Sequence, residues 1–93
     1  MAEQISGSLT GTTDSGDEIY LQNGRATLAL NGSFGGGTVT LERKAVGATA
    51  WHPSADTYTV NDVDAIDLKA PGYVRVTLAG GTAADIDYEI TAG

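Results

Sequence analysis

The first side chain to examine for chemistry is the chain's single histidine. His52 stands between Trp51 and Pro53. An imidazole works as a general base or metal ligand when a nucleophile, a carboxylate or a second ligand converges on it. No serine–carboxylate constellation lies nearby and there is no second histidine, so a catalytic role is not expected. The acidic cluster Asn61, Asp62, Asp64 and Asp67 gathers oxygens of the kind that hold Ca²⁺. Its spacing lacks the glycine and the distal glutamate of an EF-hand loop, so it reads as a solvated turn, with calcium as the alternative. Asp14, Asp17 and Glu18 read the same way. Gly32 with Gly35, Gly36 and Gly37 resembles a phosphate cradle, but a P-loop continues into Lys-Ser/Thr and a helix. Here Thr38-Val39-Thr40-Leu41 follows, so nucleotide binding is not expected, and no cofactor is expected at all. Trp51 with Tyr58 and Tyr73 could stack on sugar rings. The competing expectation, which is favoured, makes Trp51 the main core aromatic, because only Phe34 and four tyrosines compete for that place.

The class of molecule is bounded by size and charge. Ninety-three residues make one domain at most. A chain of that length buries only about 60–65% of its unfolded surface, so its core is thin, and oligomerisation often supplements such cores. There is no cysteine to staple the fold. Five basic against twelve acidic residues give a formal charge of −7. That balance repels phosphate backbones and anionic membranes, so neither nucleic acid nor membrane is an expected partner. Nothing approaches the roughly 20 apolar residues of a membrane-spanning helix. Met1-Ala2-Glu3-Gln4 lacks the positive region and apolar core of a signal peptide, so use without Sec-type export is expected.

The elements that must position these residues read as strands. Thirteen glycines and many threonines, with no helical stripe longer than two turns, point to an all-β chain. Leu28 to Leu41 alternates on both sides of Asn31-Gly32, as a β-hairpin does. Val74, Val76 and Leu78, a Gly80-Gly81 break, then Ile86, Tyr88 and Ile90 read as a second hairpin. Its outer rows, Tyr73, Arg75 and Thr77 against Asp85, Asp87 and Glu89, would set Arg75 opposite carboxylates. The three consecutive glycines mark a bulge, a bend or the close approach of another backbone. The expected architecture is a small antiparallel β-sandwich or jelly-roll-like barrel of about 7–9 short strands at residues 19–93. Residues 1–18 are polar and small and form an N-terminal arm in this reading. Ile5 and Leu9, its aliphatic anchors, either pin that arm to a neighbour or belong to the first strand of the sheet.

The run Ala29-Leu30-Asn31-Gly32-Ser33-Phe34, then Thr38-Val39-Thr40-Leu41-Glu42-Arg43 and Thr49-Ala50-Trp51, resembles small β-sandwich structural proteins of tailed bacteriophages. Ala70-Pro71-Gly72-Tyr73-Val74-Arg75-Val76 and Ile86-Asp87-Tyr88-Glu89-Ile90 fill the closing positions of that pattern. The similarity runs from Arg25 to Ile90. It implies a non-enzymatic virion component made in the host cytoplasm, of the capsid decoration or cement type. Such a protein acts as an oligomer, with a trimer favoured, bound to the major capsid protein or other virion proteins. A head–tail or tail accessory protein is the alternative, and a carbohydrate-binding module using Trp51 is a third. The contacts expected under the resemblance are Ile5 and Leu9 in the arm and the Gly35, Gly36 and Gly37 edge.

Overall fold

The computed structural model describes residues 4–92 and shows an all-β sandwich of two antiparallel sheets. Among the described residues there are nine strands: β1 (Gln4–Gly11), β2 (Asp14–Ser15), β3 (Ile19–Leu21), β4 (Arg25–Ser33), β5 (Thr38–Ala45), β6 (His52–Tyr58), β7 (Asp62–Asp67), β8 (Gly72–Ala79) and β9 (Ala84–Ala92). The first sheet has the order β1-β9-β4-β7. The second has the order β2-β8-β5-β6, with β3 also pairing β8, so that β2 and β3 form one broken edge. Alternation decides what faces inward. Ala84, Ile86, Tyr88 and Ile90 of β9 are buried, whereas Asp85, Asp87 and Glu89 between them are exposed. Val74, Val76 and Leu78 of β8 meet them from the other sheet, with Leu28, Leu30, Val39 and Leu41 filling the centre.

Both segments read as hairpins are arches instead. β4 belongs to the first sheet and β5 to the second; β8 and β9 are divided in the same way. Arg75 therefore faces Glu42 of β5, not the acidic row of β9. Alternation specifies which side chains point inward, but two inward rows satisfy it equally edge to edge or face to face across a core. What turns β4 into an arch is its corner. Phe34 is buried there, and the Gly37 N–H closes a tight turn on the Phe34 carbonyl at 2.8 Å. The β8–β9 corner packs against it, with the Thr82 N–H donating to the Gly35 carbonyl at 3.0 Å. Among the described strands, only β5 and β6 are consecutive and directly paired.

For the N-terminal segment the structure shows the second of the two alternatives, the first strand of the sheet, and not a free arm. The segment's first three residues lie outside the described residues. From Gln4 the chain is β1, paired along its whole length with β9, and Asp14–Ser15 pairs with β8. Leu9 is fully buried in the common core and Ile5 packs against its rim. Two aliphatic side chains in a polar stretch suffice because β9 supplies a complete ladder of backbone partners.

Each open flank of the sandwich is closed by a tyrosine. Tyr88 reaches across the gap beside β1, and its hydroxyl accepts the Asp17 N–H at 3.0 Å. A Cβ on Gly7 or on Gly16 would stand 2.8 Å from that phenol, so both positions are bare because the ring passes there. On the opposite flank Tyr58 of β6 donates its hydroxyl proton to Asp64 of β7 at 2.8 Å, joining the second sheet to the first. Burial, then the hydrogen bond to Asp64, pushes the Tyr58 phenol well above the usual phenolic range.

Candidate functional site

The outer faces of the two sheets differ. On the first sheet the outward residues of β1 and, apart from Thr91, of β9 are exposed. On the second, the outward rows Thr38, Thr40, Glu42, Lys44 and Tyr73, Arg75, Thr77 are all half-buried. The register of β5 with β8 sets Glu42 directly opposite Arg75 and Lys44 directly opposite Tyr73. β3 sets Tyr20 opposite Tyr73 on the other side. Trp51 precedes β6, whose His52 and Pro53 pair with Arg43 and Glu42, and this delivers the indole onto the same face.

The result is one continuous cluster. The Arg75 guanidinium carbon stands 4.4 Å from the Trp51 ring centroid, and Lys44 Nζ stands 4.8 Å from the same ring. Lys44 Nζ is also 5.1 Å from the Tyr73 centroid and 3.4 Å from Glu18 Oε2. Arg75 Nε donates to Glu42 Oε1 at 2.8 Å, and Tyr20 and Tyr73 pack tilted with centroids 5.2 Å apart. Beside the cluster, Arg43, Lys44 and His52 with Leu68, Ala70 and Pro71 line a groove of about 530 Å³. Cations over indole and phenol faces are held by the ring quadrupole, worth about 0.5–1 kcal/mol each where solvent reaches them. The surface is therefore aromatic, with each of its two cations paired to a carboxylate of the same cluster, and its rings and guanidinium are held by neighbouring groups.

The expectation that Trp51 fills the core does not hold. Trp51 is half-buried on the outside, and the large aromatics of the core are Phe34, Tyr58 and Tyr88. Of the three aromatics proposed for sugar stacking, Trp51 and Tyr73 share Lys44, whereas Tyr58 is buried at the other end of β6. Tyr20, Lys44 and Arg75 join the site only through the pairing of β3 and β5 with β8. The signal for Tyr20 was present in Ile19-Tyr20-Leu21, where an aromatic between two inward aliphatics must point outward.

The contact residues expected from the resemblance are dispersed and largely occupied. Leu9 is in the core and Ile5 is half-buried against it. Gly35 and Gly37 abut the β8–β9 corner, where an added Cβ would stand 2.3 Å from the Thr82 carbonyl oxygen and 2.9 Å from Gly81 Cα respectively. Only Gly36 of the three faces open space. The backbone whose close approach the glycines announced is the molecule's own.

Asp62, Asp64 and Asp67 have local employment. Asp62 Oδ1 accepts the Val63 N–H at 2.8 Å, Asp64 Oδ1 the Ala65 N–H at 2.9 Å and Asp67 Oδ1 the Lys69 N–H at 2.9 Å. Among the described residues no group of three or more His, Asp or Glu side chains is arranged to hold a metal ion. His52 is exposed and its strand partner is Arg43. Comparison with protein-family models, with curated proteins and with solved structures gives no match.

Proposed function

We propose that the protein is a docking module of a virion, most simply a decoration protein that binds the assembled head of a tailed bacteriophage and stabilises it. The observation that carries the docking reading is the placement of the chain's only tryptophan, with Tyr20, Tyr73, Lys44 and Arg75, on the outside of a sheet. Tryptophan, tyrosine and arginine are the residues that dominate binding energy at protein interfaces. The virion assignment rests on the sequence resemblance and fits a small β-sandwich. In this reading the aromatic face, with its paired charges, seats on the major capsid protein or another virion protein. Binding to the shell and not to free subunits raises shell stability in proportion to occupancy. Trimeric copies would multiply a modest contact through multivalency.

The test is co-sedimentation with empty phage heads. The expected result is that the wild-type protein pellets with heads and not with dissociated subunits, and that Trp51→Ala and Arg75→Ala each weaken pelleting at least tenfold while remaining folded. Pelleting that is absent, or unchanged in both variants, overturns the assignment.

A carbohydrate-binding module is the second reading, favoured by Trp51 and Tyr73 lying on one face. The indole already carries two cations, so a sugar ring has to displace one of them. Glycan-dependent quenching of Trp51 fluorescence would support that reading over the first.

A further inference from the structure

A sandwich of two sheets exposes four edges, and three of them are protected here. The β7 edge has its outward Val63 and Ala65 N–H groups taken by the carboxylates of Asp62 and Asp64. The β6 edge contains Pro53 and a register shift opposite Thr40 and Glu42. The β2–β3 edge is broken into two short pieces, with Asp14 Oδ1 accepting the Ser15 N–H. Proline, irregularity and carboxylates are the means by which natural edges avoid pairing with another chain.

The β1 edge has none of these along Gln4–Ser8. Gln4-Ile5-Ser6-Gly7-Ser8 carries no charge and no proline and runs straight in register with β9. At its far end the Thr10 N–H points away from β9, into Asp14 Oδ2 at 3.0 Å. The alternation of an antiparallel ladder puts the N–H groups of Ser8, Ser6 and Gln4 on that same outer side. Next to the edge, Ser6, Ser8, Ala29, Asn31, Asp87 and Glu89 line an open trough of about 440 Å³. The Ser8 hydroxyl donates to Asp87 Oδ1 at 2.9 Å across the two strands, and both β9 carboxylates remain exposed to solvent beyond these small side chains.

We propose that the β1 edge receives an extended, basic segment of another protein as a fifth strand of the first sheet. Main-chain hydrogen bonds to Ser6 and Ser8 would hold the segment. Lysine or arginine at alternate positions would reach over the two serines to Asp87 and Glu89, two strand spacings or about 10 Å away. A second copy of this chain is a poor occupant: pairing β1 with β1 would extend one outer face carrying two Asp85-Asp87-Glu89 rows, on molecules of charge −7 each. The surface is distinct from the Trp51 cluster, which lies on the other sheet.

The probe is a nine-residue peptide alternating lysine and threonine, followed by the amide spectrum of the isotope-labelled protein. The largest shifts are expected at Gln4–Ser8, Asp87 and Glu89, decreasing as salt is raised. The same peptide with glutamate for lysine is expected to leave the spectrum unchanged. Ser6→Pro removes an outward N–H, a position where an edge strand tolerates proline, and should weaken binding at least tenfold in a folded protein. Should that variant fail to fold, the double variant Asp87→Lys, Glu89→Lys leaves the backbone intact and should weaken binding by a similar factor. No shifts up to millimolar peptide, shifts confined to the Trp51 cluster, equal binding of the glutamate peptide, or a β1-mediated dimer of the free protein would each overturn the proposal.

Discussion

At the scale of single residues, the fold depends on a few groups that no periodicity marks. Tyr88 passes over Gly7 and Gly16 with no space for a Cβ at either. Gly7→Ala and Gly16→Ala are each expected to lower stability by about 1–3 kcal/mol, the usual cost of overpacking, and Tyr88→Phe in the Gly7→Ala background should recover part of it. Urea unfolding midpoints check both. Tyr58 makes a pH prediction. Its proton is bound more tightly in the folded state, first by burial and then through Asp64, so the phenol's contribution is complete below the unfolded value of about 10. It is lost as pH climbs from there toward the folded value, where the unfolded chain binds fewer protons. Thermal midpoints should therefore fall more steeply above pH 10 in the wild type than in Tyr58→Phe. That variant should cost about 1–2 kcal/mol at neutral pH, because Asp64 loses its donor. Ala83 holds a positive φ of 50° at the β8–β9 corner. Ala83→Gly relieves that strain, and a gain of about 0.5–1 kcal/mol is expected in the same unfolding assay.

At the scale of elements, the strands themselves were legible and their neighbours were not. Val39 and Leu41, or Val74, Val76 and Leu78, declare an inward row through simple alternation. Nothing local distinguishes Asn31-Gly32 as a hairpin turn from the same dipeptide near the end of a strand, where Gly32 is placed by the Asn61 side chain accepting its N–H at 2.9 Å. The choice is made by partners distant in sequence: Phe34 needs a buried corner and β9 must fit between β1 and β4. The Trp51 cluster was half legible for the same reason. Outward Tyr73 and Arg75 follow from β8 alone, but Lys44 and Tyr20 join them only through the registers of β5 and β3 with β8. The cluster's coupling is testable. Arg75→Lys keeps the charge but loses the flat guanidinium over the indole. A red shift of Trp51 emission with a stability loss under about 1 kcal/mol is expected, since half-exposed ion pairs contribute little.

At the scale of the whole molecule, residues 4–92 are one body. The radius of gyration is 12.4 Å, close to the roughly 12 Å expected for a single globule of this length. Deleting residues 1–18 is accordingly expected to abolish cooperative unfolding altogether. It would remove β1 and β2, take Leu9 out of the core and uncover one side of β9, which circular dichroism and a thermal melt would register. Charge is also arranged globally. Arg25, Arg43, Lys44 and Lys69 sit at or beyond the strand ends that flank the β5–β6 and β7–β8 connections, whereas Asp85 and Asp87 start β9 at the other end. Asp67, opposite Arg25, and Glu18, beside Lys44, offset part of that first group, so the ends differ in charge while the whole molecule stays acidic at −7. The central place of β9 has one further consequence. It is the last of the described strands, yet both β1, the first of them, and β4 hydrogen-bond to it. On a translating ribosome the first sheet lacks its middle until that strand clears the exit tunnel. Folding is therefore expected to begin only after β9 has emerged, and a nascent chain stalled ahead of Ala84 should remain sensitive to protease throughout.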